Sequence, residues 1–353
     1  MSENFYINRQ QFDEFVDWLK ESFRVFAPLI SQENPAKEKD YFYKKLTEND
    51  SLSFNPYRAI EPLKNFFTPA KEEVSEYFNG QEKEIVNLEK TIVFGLKNCD
   101  LAAHKIQDFV FLEGVEEDTL YRSRRENTIL VSGDCNGFKE VCHCLAWDIK
   151  PAPSEGFDLN LTPLNDGYLV EVGSAGGKEL LKKHEEYFVP ARGAQLSARR
   201  EKREKFLERL KEHIDGQGLV SKNAAQKLVR EGYTLDTWDK FMADCVECGG
   251  CNLICDTCHC FLLADEKEGR KNRRFKVWDA CQYANFARVA GGANPLKTRT
   301  QRLRNRFLKK FDFFVDNFGL PACCGCGRCI EVCPGKIDIR EVLKDLQEKL
   351  RVN

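Results

Sequence analysis

The sequence predicts an α+β protein: a small mixed α/β domain over residues 1–195, followed by an α-helical domain over 196–353. Three observations carry that expectation. Short apolar runs bounded by Gly, Asn, Asp and Pro recur between 91 and 172. From about Leu196 the text turns charged and helix-favouring. Finally, 12 of the 16 cysteines fall between 235 and 353, most of them in two groups. The 353 residues suffice for two or three domains, and a net charge of −2 indicates neither a strongly basic nucleic-acid binder nor an acidic tail. No apolar run approaches the roughly 18 residues of a membrane span. The start, MSENFYINRQQFDEF, lacks the basic-then-apolar pattern of a secretion signal, so a cytoplasmic chain with no membrane partner is expected.

Taken in order, the first 90 residues read as helical and polar, with Phe12, Phe15, Val16, Leu19 and Phe23 forming a core stripe at spacings of three and four. TIVFGL, NTILVSG and GYLVEVG then read as strands. GSAGGKE at 173–179 lacks a spacer residue and a hydroxyl for a phosphate loop and contains no G-x-G-x-x-G, so it reads as a strand-to-helix turn. LSARREKREKFLERLKEHI, LVSKNAAQKLVREG and TLDTWDKFMADC read as helices, broken at Gly216 and Gly218. TRTQRLRNRFLKKFDFFVDNFG and the closing IDIREVLKDLQEKL continue in the same manner.

Cysteine is the unusual component. In a long chain without an export signal, a reducing compartment disfavours disulfides, which turns attention to metal or redox chemistry. Cys245-x2-Cys248-x2-Cys251-x3-Cys255 and Cys323-x2-Cys326-x2-Cys329-x3-Cys333-Pro334 are two copies of one spacing. That spacing wraps backbone and thiolates around a 4Fe-4S cube, and in two-cluster ferredoxins the fourth cysteine of each run crosses to the other cube. The expectation is therefore a two-cluster ferredoxin domain, with one cluster on Cys245, Cys248, Cys251 and Cys333 and the other on Cys323, Cys326, Cys329 and Cys255. Gly249, Gly250, Gly325 and Gly327 let the chain turn close to each cube. Two alternatives fit the spacing less well. Zinc asks for paired knuckles rather than four cysteines per run. Cys251-x3-Cys255-x2-Cys258 has the spacing of radical S-adenosylmethionine enzymes, but the residues after Cys258 read as helical instead of as a strand–helix barrel.

Cys99, Cys135, Cys142 and Cys144 suffice for a third 4Fe-4S cluster. The plainer reading makes them small buried hydrophobes; the turn-forming contexts KNCD and GDCN speak against it. Cys258, Cys260, Cys281 and Cys324 are expected to be structural thiols, and His104, His184 and His213 to be solvated or on helix surfaces. No paired carboxylates or nucleophile-and-base set stands out, so no catalytic residue is assigned. Residues 267–310 hold 14 Lys or Arg against Glu268 and Asp279. Such a stripe suits an acidic partner, compensation of the cluster charge, or, as the alternative function, nucleic-acid binding around structural clusters.

FGLKNCDLAA, DTLYRSRRENTILVSGDCN, VCHC, GFDLNLTPLNDGYLVEVGS, CVECGGCNLICDTCHCF, WDAC and CCGCGRCIEVCPGKIDI resemble the beta subunit of sulfhydrogenases, the NAD(P)-linked nickel–iron hydrogenases, and the dicluster iron–sulfur subunit of anaerobic sulfite reductase. The likeness runs from about 90 to 340. Related subunits accompany heterodisulfide reductase. The resemblance implies an electron conduit between a flavin-containing NAD(P)H oxidoreductase subunit and a catalytic hydrogenase, sulfite reductase or heterodisulfide reductase subunit. Its cubes would sit on the eight motif cysteines, with the third on the N-terminal four. Asp256 departs from the pattern, which has Pro there as at Pro334.

Overall fold

The computed structural model describes residues 3–32, 39–77, 89–269 and 271–352. The chain runs β1 (Asn4–Asn8), α1 (Arg9–Ser22), β2 (Arg24–Gln32), β3 (Asp40–Lys45), β4 (Lys71–Tyr77), β5 (Thr91–Leu96), α2 (Asn98–Phe111), α3 (Thr119–Glu126), β6 (Thr128–Gly133), β7 (Leu159–Pro163), β8 (Gly167–Val172), α4 (Ala175–Lys182), β9 (Val189–Pro190) and α5 (Gly193–Asp215). It continues through α6 (Lys222–Glu231), α7 (Thr237–Met242), α8 (Gly250–Leu253), β10 (Phe261–Glu268), β11 (Lys271–Trp278), α9 (Arg299–Leu308), α10 (Phe314–Phe318), α11 (Arg328–Glu331) and α12 (Ile339–Val352). The class is the expected one, a mixed chain with an N-terminal sheet and a C-terminal helical region.

The described residues form two compact units. One is drawn from Met1–Leu63, Ile85–Glu140 and Ile149–His213, the other from Lys64–Glu84, Val141–Asp148 and Ile214–Asn353. The single cut read between 195 and 196 therefore gives way to interleaved segments. The reason is local: 64–84 supplies β4 to a sheet with β10 and β11, and 141–148 packs on the second cysteine run.

In the first unit an eight-stranded sheet has the order β3-β2-β5-β6-β7-β8-β1-β9. Strands β2, β5, β6 and β7 are parallel, and the remaining pairings are antiparallel. The near-continuous apolar text of β5 and β6 is what strands buried on both faces require. Helix α1 starts at Asn8, whose Oδ1 accepts from Gln11 N at 2.9 Å. Its Phe12, Phe15, Val16 and Leu19 enter the core with Ile92, Phe94, Val131, Leu161 and Val170, each such side chain contributing about 1.5–3 kcal/mol. The helical reading of the first 90 residues holds for α1 and for a single 3-10 turn at Leu63–Phe66. Among the described residues the rest are strands and irregular chain, because RVFAPLISQ and DYFYKK carry the β-branched and aromatic side chains that a pleated surface takes up. The turn read at GSAGGKE joins β8 to α4, with Ser174 Oγ accepting from Gly177 N at 3.0 Å.

In the second unit β10, β11 and β4 make a three-stranded antiparallel sheet, strand structure that the helical reading of 196–353 does not contain. Helix α9 continues into a π turn at Lys309–Phe313 and then into α10. Its Phe307 meets the fully buried Trp238 of α7 edge-on at 5.4 Å.

Candidate metal centre

The two cysteine runs have the same backbone. Glu247 and Gly325 occupy equivalent left-handed positions at φ 57° and 63°, as do Gly249 and Gly327 at 71° and 74°. A short helix follows each, α8 and α11. The turns aim amides at sulfur: Glu247 N donates to Cys245 Sγ at 3.4 Å, Gly250 N to Cys248 Sγ at 3.5 Å and Ile337 N to Cys333 Sγ at 3.4 Å. Glycine suits such a backbone, but Glu247 holds it with a side chain attached, and its carboxylate pairs with the buried Arg302 guanidinium.

Cys245, Cys248, Cys251 and Cys333 line one cavity of about 40 Å³, with Cys329 and Arg306 in its wall. Cys329 faces both Cys255 and Cys326, and Cys323 faces Cys329 and Cys255. None of the 16 cysteines forms a disulfide. Burial pushes the Cys251 and Cys323 thiols up to about 12, with Arg306 and Lys310 respectively pulling back. Cys255 is held well below the usual thiol range by a hydrogen bond from Cys258, against burial, and by Lys310 and Arg306.

Two cations sit among these sulfurs. Arg306 and Lys310 are buried, at 5 % and 4 % exposure. Burial works against both charges, but Cys251 and Cys329 hold Arg306 above its usual range, and Cys255 and Cys258 do the same for Lys310. Among the described residues no carboxylate lies within ion-pair distance of either.

Asp256, the departure from the proline pattern, is itself buried. It accepts from Lys64 N at 2.7 Å and pairs with the buried Arg328 at 3.5 Å, tying the first run to the second. Gly325 and Gly327 serve a close approach as well as a turn. A Cβ on Gly325 would come within 2.6 Å of Cys144 N, and one on Gly327 within 2.5 Å of Val141 O. Cys142 and Cys144 thus lie in a segment packed on the second run, where His143 N donates to Gly325 O at 2.9 Å.

Cys99 and Cys135 belong to the first unit, Cys142 and Cys144 to the second. Cys99 opens α2 just after β5 and Cys135 follows β6, so both sit where adjacent parallel strands end, the usual place for a site in such a sheet. Between them is the fully buried Lys97, which donates to Gly133 O at 3.2 Å and Asp134 O at 3.3 Å and faces both thiols. Sequence reasoning passed over Lys97. Of the remaining cysteines, Cys281 is buried and accepts from Asn252 Nδ2 at 3.1 Å, while Cys258 lies 3.6 Å from the same amide. His104 is buried, not solvated, because α2 turns it toward Tyr121.

The basic stripe is divided between two settings, with Arg270 outside the described residues. On β11, Lys276 meets Glu72 at 3.1 Å, Arg273 meets Glu73 at 3.9 Å, Lys271 meets Glu76 at 3.5 Å and Arg274 meets Asp265 at 2.8 Å. On α9 and the π turn, Arg302, Arg306 and Lys310 turn inward.

Residues 244–337 match the family model of a 4Fe-4S dicluster domain. Over 345 residues, covering 98% of each chain, the sequence is 30% identical to the sulfhydrogenase 2 subunit beta of Pyrococcus furiosus.

Proposed function

Because this chain belongs to the sulfhydrogenase beta-subunit family, we propose that it is an iron–sulfur subunit relaying electrons from a flavin-containing NAD(P)H oxidoreductase subunit to a catalytic subunit, or in the reverse direction. Nickel–iron hydrogenase is the first candidate for that catalytic subunit. Sulfite reductase and heterodisulfide reductase are the other acceptors that the family resemblance offers. The ligand sets proposed are Cys245, Cys248, Cys251 and Cys333 for one cube and Cys323, Cys326, Cys329 and Cys255 for its neighbour. A third on Cys99, Cys135, Cys142 and Cys144 is the finer proposal, supported by the placement of Cys99 and Cys135 at the ends of adjacent parallel strands beside the buried Lys97 side chain. Cytoplasmic residence is part of the same reading; no helix among the described residues is long and apolar enough to cross a membrane.

The observation that carries the proposal is the pair of buried cations. With neutral thiols around them, Arg306 and Lys310 would be uncompensated charges in a poorly solvated interior, each costing several kcal/mol. Metal ligation keeps the thiols deprotonated and supplies the missing negative charge. Amides directed at cysteine sulfur add the hydrogen bonding that iron–sulfur sites use to set their potential. Among the described residues, no three His, Cys, Asp or Glu side chains gather tightly enough for a single ion. A cube, with irons at separate corners, spreads its ligands wider than zinc does. When bound, such clusters supply one-electron redox chemistry. This chain's own residues hold them, exclude water and fix the surrounding charge.

Anaerobically purified protein is expected to contain about 8 iron atoms per chain with equal sulfide, or about 12 if the N-terminal cysteines hold a third cube. It should also give a paramagnetic signal on reduction with dithionite. Stoichiometric zinc without sulfide would overturn the proposal.

A further inference from the structure

We infer that Lys310 acts through the Cys255 sulfur, as a positioning residue, to raise the reduction potential of the cluster on Cys323, Cys326, Cys329 and Cys255, while its neighbour is left nearly unchanged. The inference rests on the two-cluster reading above.

Lys310 Nζ donates to Cys255 Sγ at 3.3 Å, to Thr257 Oγ1 at 2.9 Å and to Ala322 O at 3.0 Å. Thr257 Oγ1 has two acceptors for its single proton, Ala322 O at 2.7 Å and Cys255 Sγ at 3.1 Å, so toward Lys310 it is an acceptor. All three ammonium protons are therefore in use, which a neutral amine with two protons cannot match. The group is a fixed positive charge whose anionic neighbours are sulfurs.

The ligand sulfurs among them, Cys255 and Cys323, belong to one proposed set. Lys310 faces Cys255, Cys258 and Cys323, and none of Cys245, Cys248, Cys251 or Cys333 is among its leading electrostatic partners. Arg306 is different: it faces Cys251 from one set together with Cys329 and Cys255 from the other, so its charge is shared. Reduction adds one negative charge to a cube. A buried cation against one ligand sulfur stabilises the reduced form, and a hydrogen bond to that sulfur draws electron density off it. Both effects raise the potential, and both weaken with distance. The π turn at Lys309–Phe313 marks the departure from regular helix at this residue, an irregularity that recurs at functional sites.

The test is a redox titration, followed by electron paramagnetic resonance, on the full chain purified without oxygen, comparing wild type with Lys310→Met, Lys310→Gln and Lys310→Arg. Iron and sulfide are counted in each. In Lys310→Met one midpoint is expected to fall so that the ratio of reduced to oxidised cluster at fixed poise drops at least tenfold, about 59 mV for a one-electron couple. The second midpoint stays where it was, and Lys310→Arg returns the first toward wild type. If Met expels the cluster, Lys310→Gln, which keeps an N–H donor without the charge, carries the same comparison. Full iron with both midpoints unmoved, or both moved equally, would overturn the inference. So would loss of four irons in the Met, Gln and Arg variants alike, because charge would then not be what the position supplies. A wild-type chain without iron and sulfide overturns the two-cluster reading itself, and that failure is seen before any variant is compared.

Discussion

Asp256 occupies the place where the second run has Pro334, and its carboxylate instead joins the Arg328 guanidinium at 3.5 Å, both groups being 1 % exposed. Removing one partner of a buried pair is strongly destabilising, and here it also takes the acceptor from Lys64 N, so Asp256→Ala is expected to destabilise the protein by about 3–5 kcal/mol. Anaerobic urea unfolding measures this, and Asp256→Asn should fall between. The sequence showed that position 256 departs from its pattern but not why, because the partner stands at 328. His104 illustrates a second gap between text and structure. Burial pushes its imidazole down to about 4, with Asp108 opposing and Arg125 assisting. The unfolded ring therefore takes its proton first as pH falls. The contribution is complete above about pH 6.5 and is lost progressively from there to about pH 4, a total of about 3 kcal/mol. His104→Leu should flatten that part of the stability–pH curve; an unchanged slope would refute the assignment. Nothing in DLAAHKIQ distinguishes a buried histidine from a surface one until α3 brings Tyr121 opposite.

Among the elements, β11 decides how the basic stripe behaves. Four of its cations meet carboxylates on β4 and β10, and the buried Lys276–Glu72 pair is the tightest packed of them. The charge on β11 itself is therefore spent within the sheet, and a gel shift with duplex DNA at physiological salt is expected to show no retarded band. Salt-sensitive binding at sub-micromolar protein would revive the nucleic-acid alternative. The stripe was legible as composition. Its neutralisation was not, because Glu72, Glu73 and Glu76 lie some two hundred positions upstream in a segment that reads as polar helix. Strands β5, β6 and β8 were legible because strands buried in a sheet advertise themselves as short apolar runs between turn formers. Strands β2 and β3 were not, since Pro28 interrupts the first, charged residues close in on the short apolar run of the second, and a neighbouring amphipathic helix gives the whole region a helical cast.

For the molecule as a whole, the two units differ in what holds them. The first has an extensive apolar core between α1 and its sheet. The second adds to its own buried apolar side chains, among them Trp238, Phe307, Phe311 and Val342, the cations Arg306 and Lys310 buried against sulfur. Chelation of iron under reducing conditions is therefore expected to loosen the second unit selectively. Hydrogen exchange should rise by an order of magnitude or more in α9 and around both cysteine runs, while β5, β6 and α1 remain protected. Uniform loss of protection would contradict this division. The cysteine runs were the most legible part of the chain because their spacing is set by the object they surround, whereas the buried cations look in sequence like any surface helix. The proposed exchange of cysteines between the runs also bears on biosynthesis. The cavity on Cys245, Cys248 and Cys251 is completed by Cys333, and Cys255 sits with the thiols of the later run. On that proposal, a ribosome that has not yet passed position 333 exposes a chain on which the first of these pockets lacks a corner, and iron delivery is expected to follow translation instead of accompanying it.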